Sequence, residues 1–507
     1  MSPTGAKANR RREALCRLWP LALVPLALGF SQAAQAQVST AAGANQAFTL
    51  PGSALDNPAA SSQTPPPANA YGVGVGVGET DNVALTAANR MSQTMALTDV
   101  DFSVDHQTRL FDANAVGAFS YIDYLQGAFK PELLGRLDGV ADAAIIPGSL
   151  IWTLRDTFGQ SSVDPYTPTT PGNIENINYL TTGPELTLRF GGVNFVDVNL
   201  RYGRAQFQTS PFDSNRALAN VAVGRDVSAG GSISLNATSE RVMFTNTDIN
   251  GDLTLSSAFA RYEIVSERTH LIGELGLTSA KQASAGSASA SSVSPTQPGA
   301  LLVEPEPGVS LTGPLIKLEL TRRISASSKL IFLGGQLLTD AASSFSAQGV
   351  GATGVPAITP GYLSGGVFRE TFASAGWQFE RNRTLVALTG RWERDVYPGL
   401  PSLDSVTPSA QFNAQRRMSR AWTFELLGNW NQGHYPYAVL SQQITGSTQH
   451  DLDGIGAGVI GRHGRGLEVR LRVNHDSYTV SNGNTGYHES RVFLTVGYRP
   501  VNLEPSE

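Results

Sequence analysis

Residues 467–474 read LEVRLRVN, with apolar and polar side chains taking strict turns. Strand side chains alternate between faces, so Leu467, Val469, Leu471 and Val473 share one face. Glu468, Arg470, Arg472 and Asn474 share the other. The same script recurs in Val196/Val198/Leu200/Tyr202 against Asp197/Asn199/Arg201, and in Ile316/Leu318/Leu320 against Lys317/Glu319/Thr321. It recurs again in Trp422/Phe424/Leu426 against Thr423/Glu425. A soluble β-sandwich would alternate in the same way, so periodicity alone does not say where the apolar face points. Length and spacing do. The runs are roughly 12–16 residues, where soluble strands have about 5–6 and a tilted membrane strand needs about 9–11. The connections between them alternate short and long, as in outer-membrane barrels.

The ends of the chain agree with export. Lys7, Arg10, Arg11, Arg12 and Arg17 precede a short apolar run, Leu18 to Phe30, and Ala34-Gln35-Ala36 forms a small-residue cleavage site. Residues 1–36 therefore read as a secretory signal peptide, removed before the mature protein folds. The Arg11-Arg12 pair lacks the rest of a twin-arginine signal, and a barrel cannot fold before export. Cys16 is the only cysteine and lies within the signal, so the mature chain has no thiol for disulfides, catalysis or metal binding. Losing the signal removes five bases and one acid and moves the formal net charge from -5 to about -9. No basic patch for nucleic acid remains. Residues 37–67, rich in Ala, Ser, Gln and Pro, read as a disordered periplasmic leader. No later apolar run is long enough for a membrane helix, and a mean hydropathy of -0.12 suits strands with one polar face.

The barrel is expected over residues 68–500, with 501–507 as a short tail. Tight turns fall at Asp105–Thr108, Pro147-Gly148, Gly191-Gly192, Val227–Gly230, Ser266–Arg268, Ala326–Ser328, Glu380–Asn382, Met418–Arg420 and His463–Arg465. Longer connections fall between them, among them 281–311, 341–364 and 433–452. The expectation is an all-β, antiparallel, up-and-down transmembrane barrel of about 20 strands, with 16 or 18 as alternatives and the tight turns on the periplasmic side. Residues 281–311 and 341–364 are small-residue and nearly uncharged, and read as flexible surface loops or lumen-folded constrictions. Trp152, Trp392, Trp422 and Trp430 share the apolar parity and belong to interfacial aromatic girdles. Arginine gathers at the tight turns (Arg268, Arg381, Arg420) and acid at the long loops (Asp81, Asp164, Asp213), as ordinary solvated surface or as a cation-bridged contact with lipopolysaccharide.

A search for chemistry finds little. The seven histidines are scattered without metal-ligand spacing. Asp248–Asp252 lacks the distal bidentate Glu of a calcium loop. Asn474-His475-Asp476-Ser477 resembles the side-chain set of a lipid hydrolase, but alternation sends His475 and Ser477 to one face and Asn474 and Asp476 to the other. A nucleophile, its base and its orienter must share one hydrogen-bonded chain, so no catalytic residue, cofactor or metal is expected. The candidate lumen lining is Asp197, Arg201, Lys317, Glu319, Arg391, Glu393, Glu468, Arg470 and Arg472, together with residues such as Asp99, Asp101, Arg136 and Glu425. Such ladders either pair along a wall or form a polar, sugar-contacting pore.

The stretches YGVGVGVGETDN (71–82), IPGSLIWTLRDTFGQ (146–160) and NINYLTTGPELTLRF (176–190), with Tyr121 and Tyr124 between them, resemble outer-membrane barrel proteins associated with exopolysaccharide biosynthesis and PEP-CTERM/exosortase systems of Gram-negative bacteria. The resemblance implies a non-enzymatic outer-membrane protein serving exopolysaccharide export or surface assembly. Its partners would be outer-membrane lipid and lipopolysaccharide, and an exopolysaccharide chain or its export machinery. A general diffusion porin is the second reading, and an outer-membrane lipid-modifying enzyme the third.

Overall fold

The computed structural model describes residues 69–164, 168–286, 308–348, 358–359, 364–441, 444–464, 466–481 and 486–500. The signal peptide, the leader and the tail lie outside the described residues, as does most of 281–311. The chain runs β1 (Ala70–Thr80), β2 (Gln93–Gln107), β3 (Phe111–Tyr124), β4 (Glu132–Ile146), β5 (Leu150–Ser162), β6 (Ile174–Phe190) and β7 (Asn194–Phe207). Next come β8 (Ser214–Ser228), β9 (Gly231–Phe244), β10 (Leu253–Val265), β11 (Thr269–Gln282), β12 (Val309–Ser325) and β13 (Ser328–Thr339). Helix α1 (Ala341–Gln348) and a two-residue β14 (Ile358–Thr359) follow. The series ends with β15 (Phe368–Arg381), β16 (Thr384–Val396), β17 (Ser405–Arg417), β18 (Trp422–Ser441), β19 (Ile444–His463), β20 (Leu467–Val480) and β21 (Tyr487–Tyr498). Apart from β14, each strand pairs antiparallel with its neighbours, and β1 pairs with β21 from Val73↔Tyr498 to Thr80↔Arg491. That last pairing closes the sheet into a 20-stranded barrel, so the alternatives of 16 and 18 do not hold.

Burial is inverted relative to a soluble protein. Leu467, Val469, Leu471 and Val473 are exposed on the outside, whereas Glu468, Arg470, Arg472 and Asn474 are buried inside. Trp152, Trp392, Trp422 and Trp430 all stand on the outer face. Among the described residues no helix is long and apolar enough to cross a membrane. A continuous apolar belt on a closed barrel is stable against lipid, where every backbone group is already paired within the sheet.

One expectation about connections changes. Residues 433–452 are largely strand: β18 and β19 stay paired up to Ser441↔Ile444. A register shift between Tyr435 and Ala438 accommodates Pro436, which has no N–H to give to the ladder. Of residues 341–364, expected as a flexible surface loop or a lumen-folded constriction, the first eight form α1, which packs against inward-facing side chains as the second alternative has it. The inner face of β1 is glycine at 72, 74, 76 and 78, and that of β19 is glycine at 454, 456 and 458. The missing side chains leave room for polar groups from adjoining strands. A Cβ on Gly72, for instance, would lie 2.6 Å from the Asp101 carboxylate.

Candidate functional site: a paired lumen wall and the helix latched to it

The nine candidate lumen residues all project inward, and most are paired along the wall. Arg470 donates to Glu468 at 2.6 Å, and Glu468 also accepts from Arg462 Nε at 3.0 Å. Arg472 donates to Glu425 at 3.0 Å, with both side chains fully enclosed. Arg201 meets Glu185 at 3.0 Å and Lys317 meets Glu319 at 2.8 Å. Arg391 binds Glu393 through Nε at 2.6 Å and Glu370 at 3.1 Å. Asp197 is half-buried on β7 and has no ion-pair partner among the described residues. Several pairs join residues two apart on one strand, the spacing that puts side chains on one face. Buried ion pairs add little net stability. They give the inner wall a polar surface on which many of the charges are paired.

Sequence reasoning missed the side chains that hold the segment after β13. Helix α1 follows β13 and packs between two stretches of the inner wall: Ala341, Ala342 and Phe345 form one buried cluster with Ile177 on β6, Ala205 and Phe207 on β7, Phe212, Phe368 on β15 and Tyr397. Beyond the helix, Ile358 and Thr359 pair parallel with Gln160 and Ser161 of β5. The described parts of the connection between β13 and β15 thus touch the inner side of β6 and β7 and the end of β5. Its anchor is Asp340, fully buried at the helix start, which binds Arg216 of β8 through both carboxylate oxygens, one at 2.9 Å. Arg216 also donates to Ser343 at 2.8 Å and to Glu240 at 3.1 Å, and lies over the Tyr179 ring. Burial alone would push the Asp340 carboxyl up, but the Arg216 guanidinium, Ser343 and the Ala342 N–H together hold it below the usual carboxylate range. On the other side of the helix, Ser344 bonds Glu370 of the Arg391 cluster. The alanine- and serine-rich run AASSFSAQ signals a helix small enough to pack closely. Nothing local names Arg216 as the partner of Asp340, more than a hundred residues away.

On the outer face, alternation holds as expected: His475 and Ser477 point outward, while Asp476 points inward to Arg491. Neighbouring strands nevertheless bring same-face partners that the run itself lacks. His475 Nδ1 lies 3.0 Å from Ser490 Oγ, and the His475 and His488 rings stack at 6.0 Å. Among the described residues no group of three or more His, Cys, Asp or Glu could hold a metal ion.

A closed barrel with an apolar belt, a polar lumen and its long connections at one rim is an outer-membrane β-barrel. No family model matches the sequence, and no curated protein does. Similar solved structures include the FrpB iron transporter from Neisseria meningitidis (F5-1 variant), 9% identical over 87% of this chain and 84% of that one, with a TM-score of 0.38. The copper transporter OprC is 11% identical over 85% and 80%, with a TM-score of 0.38. The siderophore receptor PiuA from Acinetobacter baumannii is 8% identical over 85% and 81%, with a TM-score of 0.39. At such identities and TM-scores these likenesses carry no argument about function.

Proposed function

We propose that this outer-membrane barrel is a gated conduit serving the export or surface assembly of an extracellular polysaccharide. The observation that carries the reading is α1, which packs inside the wall between β6/β7 and β15 and is latched to β8 through Asp340 and Arg216. A general diffusion porin works through a lumen that stays open to small solutes, so a helix latched on the inner side favours regulated passage. The self-paired wall supports a long, hydrated, weakly held cargo better than one tightly bound ligand. The polysaccharide itself rests on the sequence resemblance.

A clean gene deletion, scored side by side for secreted glycan and for small-solute permeability, tests this. The expected result is reduced extracellular polysaccharide or biofilm with little change in solute uptake. Normal glycan with lost permeability would favour the porin reading, and normal values for both would leave only a surface-structural role.

A further inference from the structure

On the outer wall, away from the lumen, a groove of about 440 Å³ runs across β16 to β20. Leu388, Leu426, Trp430 and Ile455 form its sides, and Gly428 leaves its floor open. Its far end is polar, made by Asp453, His475 and Ser477. Register explains why these meet: Trp430, Asp453, Ser477 and His488 are successive cross-strand partners on one face, as are Ile455, His475 and Ser490. Such partners have Cβ atoms within about 5 Å of one another.

The groove lies on the exposed apolar belt, the face a barrel turns to lipid. Strands rise about 3.4 Å per residue and tilt about 40°, so the four residues that separate Leu426 from the Trp430–Asp453–Ser477 row span roughly 10 Å along the membrane normal. That is within the reach of a fatty-acyl chain. Carboxylate and imidazole groups are costly against hydrocarbon, and these stand where the hydrocarbon meets the headgroups. We infer that the groove binds one lipid A molecule of the outer leaflet, an acyl chain along Leu388–Ile455 and the phosphorylated sugar headgroup at Asp453, His475 and Ser477. The loop rim is the extracellular side in barrels of this kind, which fixes the leaflet. The chemistry is complementary. Imidazoles of His475 and His488 donate to phosphate, while Asp453 and Ser477 accept from sugar hydroxyl and amide groups. In the tautomer in which Ser490 O–H donates to His475 Nδ1, Nε2 carries the proton and donates to the ligand.

The test titrates delipidated full-length barrel with rough-type lipopolysaccharide, and separately with phosphatidylethanolamine, read by native mass spectrometry. Wild type should retain one lipopolysaccharide per barrel, in preference to the phospholipid. Gly428→Leu should weaken retention by about tenfold or more. A Cβ at Gly428 would meet nothing closer than 3.9 Å, so this change fills the groove without pressing on the wall. His475→Phe, which keeps ring size and removes the polar nitrogens, should weaken it as well and guards against a folding artefact in the first variant. Leu471→Ala, on the same belt outside the groove, should bind as wild type. Equal retention by wild type and both groove variants, or preference for phosphatidylethanolamine, would overturn the inference.

Discussion

At the scale of single residues, Arg472 and Leu471 are chain neighbours with opposite solvents. The Arg472 and Glu425 side chains are 1% and 0% exposed, and each is the other's main compensation for leaving water. Removing one strands the other, so Arg472→Met should destabilise the barrel by about 3–5 kcal/mol. Adding Glu425→Leu should recover most of that loss, because the unpaired carboxylate goes too. Urea titration of the refolded barrel in lipid checks both, and a double variant no better than the single one would deny the pair its role. Leu471, 44% exposed, would tolerate a charge in a soluble protein. Against lipid, Leu471→Arg should cost about 2–4 kcal/mol in the same titration. Which way each of these side chains points was legible in LEVRLRVN alone. That Arg472 meets Glu425 was not, because alternation gives a face and not a partner on a strand 47 positions away.

Among the elements, α1 is the one that sequence periodicity could not place. AASSFSAQ has no strand alternation and no charge, and its destination depends on which strand offers a guanidinium and an aromatic nest. The latch makes its own prediction. Arg216→Ala leaves Asp340 buried without its counter-charge, so the helix should undock and single-channel conductance in planar bilayers should rise. Unchanged conductance would mean that α1 does not constrict the lumen. The pH dependence has a definite sign. Docking lowers the Asp340 pKa below its free value, so the latch's contribution is fully present above the free pKa. It is lost as pH falls through the docked value. Conductance should therefore stay flat through neutral and mildly acidic pH and rise only below the ordinary carboxylate range. Asp340→Asn should flatten that response. The strands, by contrast, were legible almost throughout: every expected tight turn separates paired strands, and the exception is 433–452, read as a long connection and found to be largely strand.

For the molecule as a whole, the decisive event is closure, where β1 must find β21 across the full length of the chain. YGVGVGVGET places valines outward to lipid and glycines inward, and the alternation was visible from the start. What the sequence did not disclose is why the inner face must be bare. At Gly76 a Cβ would lie 2.7 Å from the Leu494 carbonyl oxygen and 2.5 Å from the Thr495 side chain, both on β21. At Gly74 the nearest atoms are 3.6 Å away, an ordinary contact. The seam therefore has room at one glycine and none at the other, although the two look identical in the repeat. Gly76→Ala should push β1 off β21 and lower the temperature at which the folded band converts to the unfolded one on a semi-native gel. Gly74→Ala should convert at the wild-type temperature. If the two variants melt alike, the close approach at Thr495 is not what sets closure, and the inner glycines of β1 answer to the bulk of Asp99 and Asp101 on β2 instead.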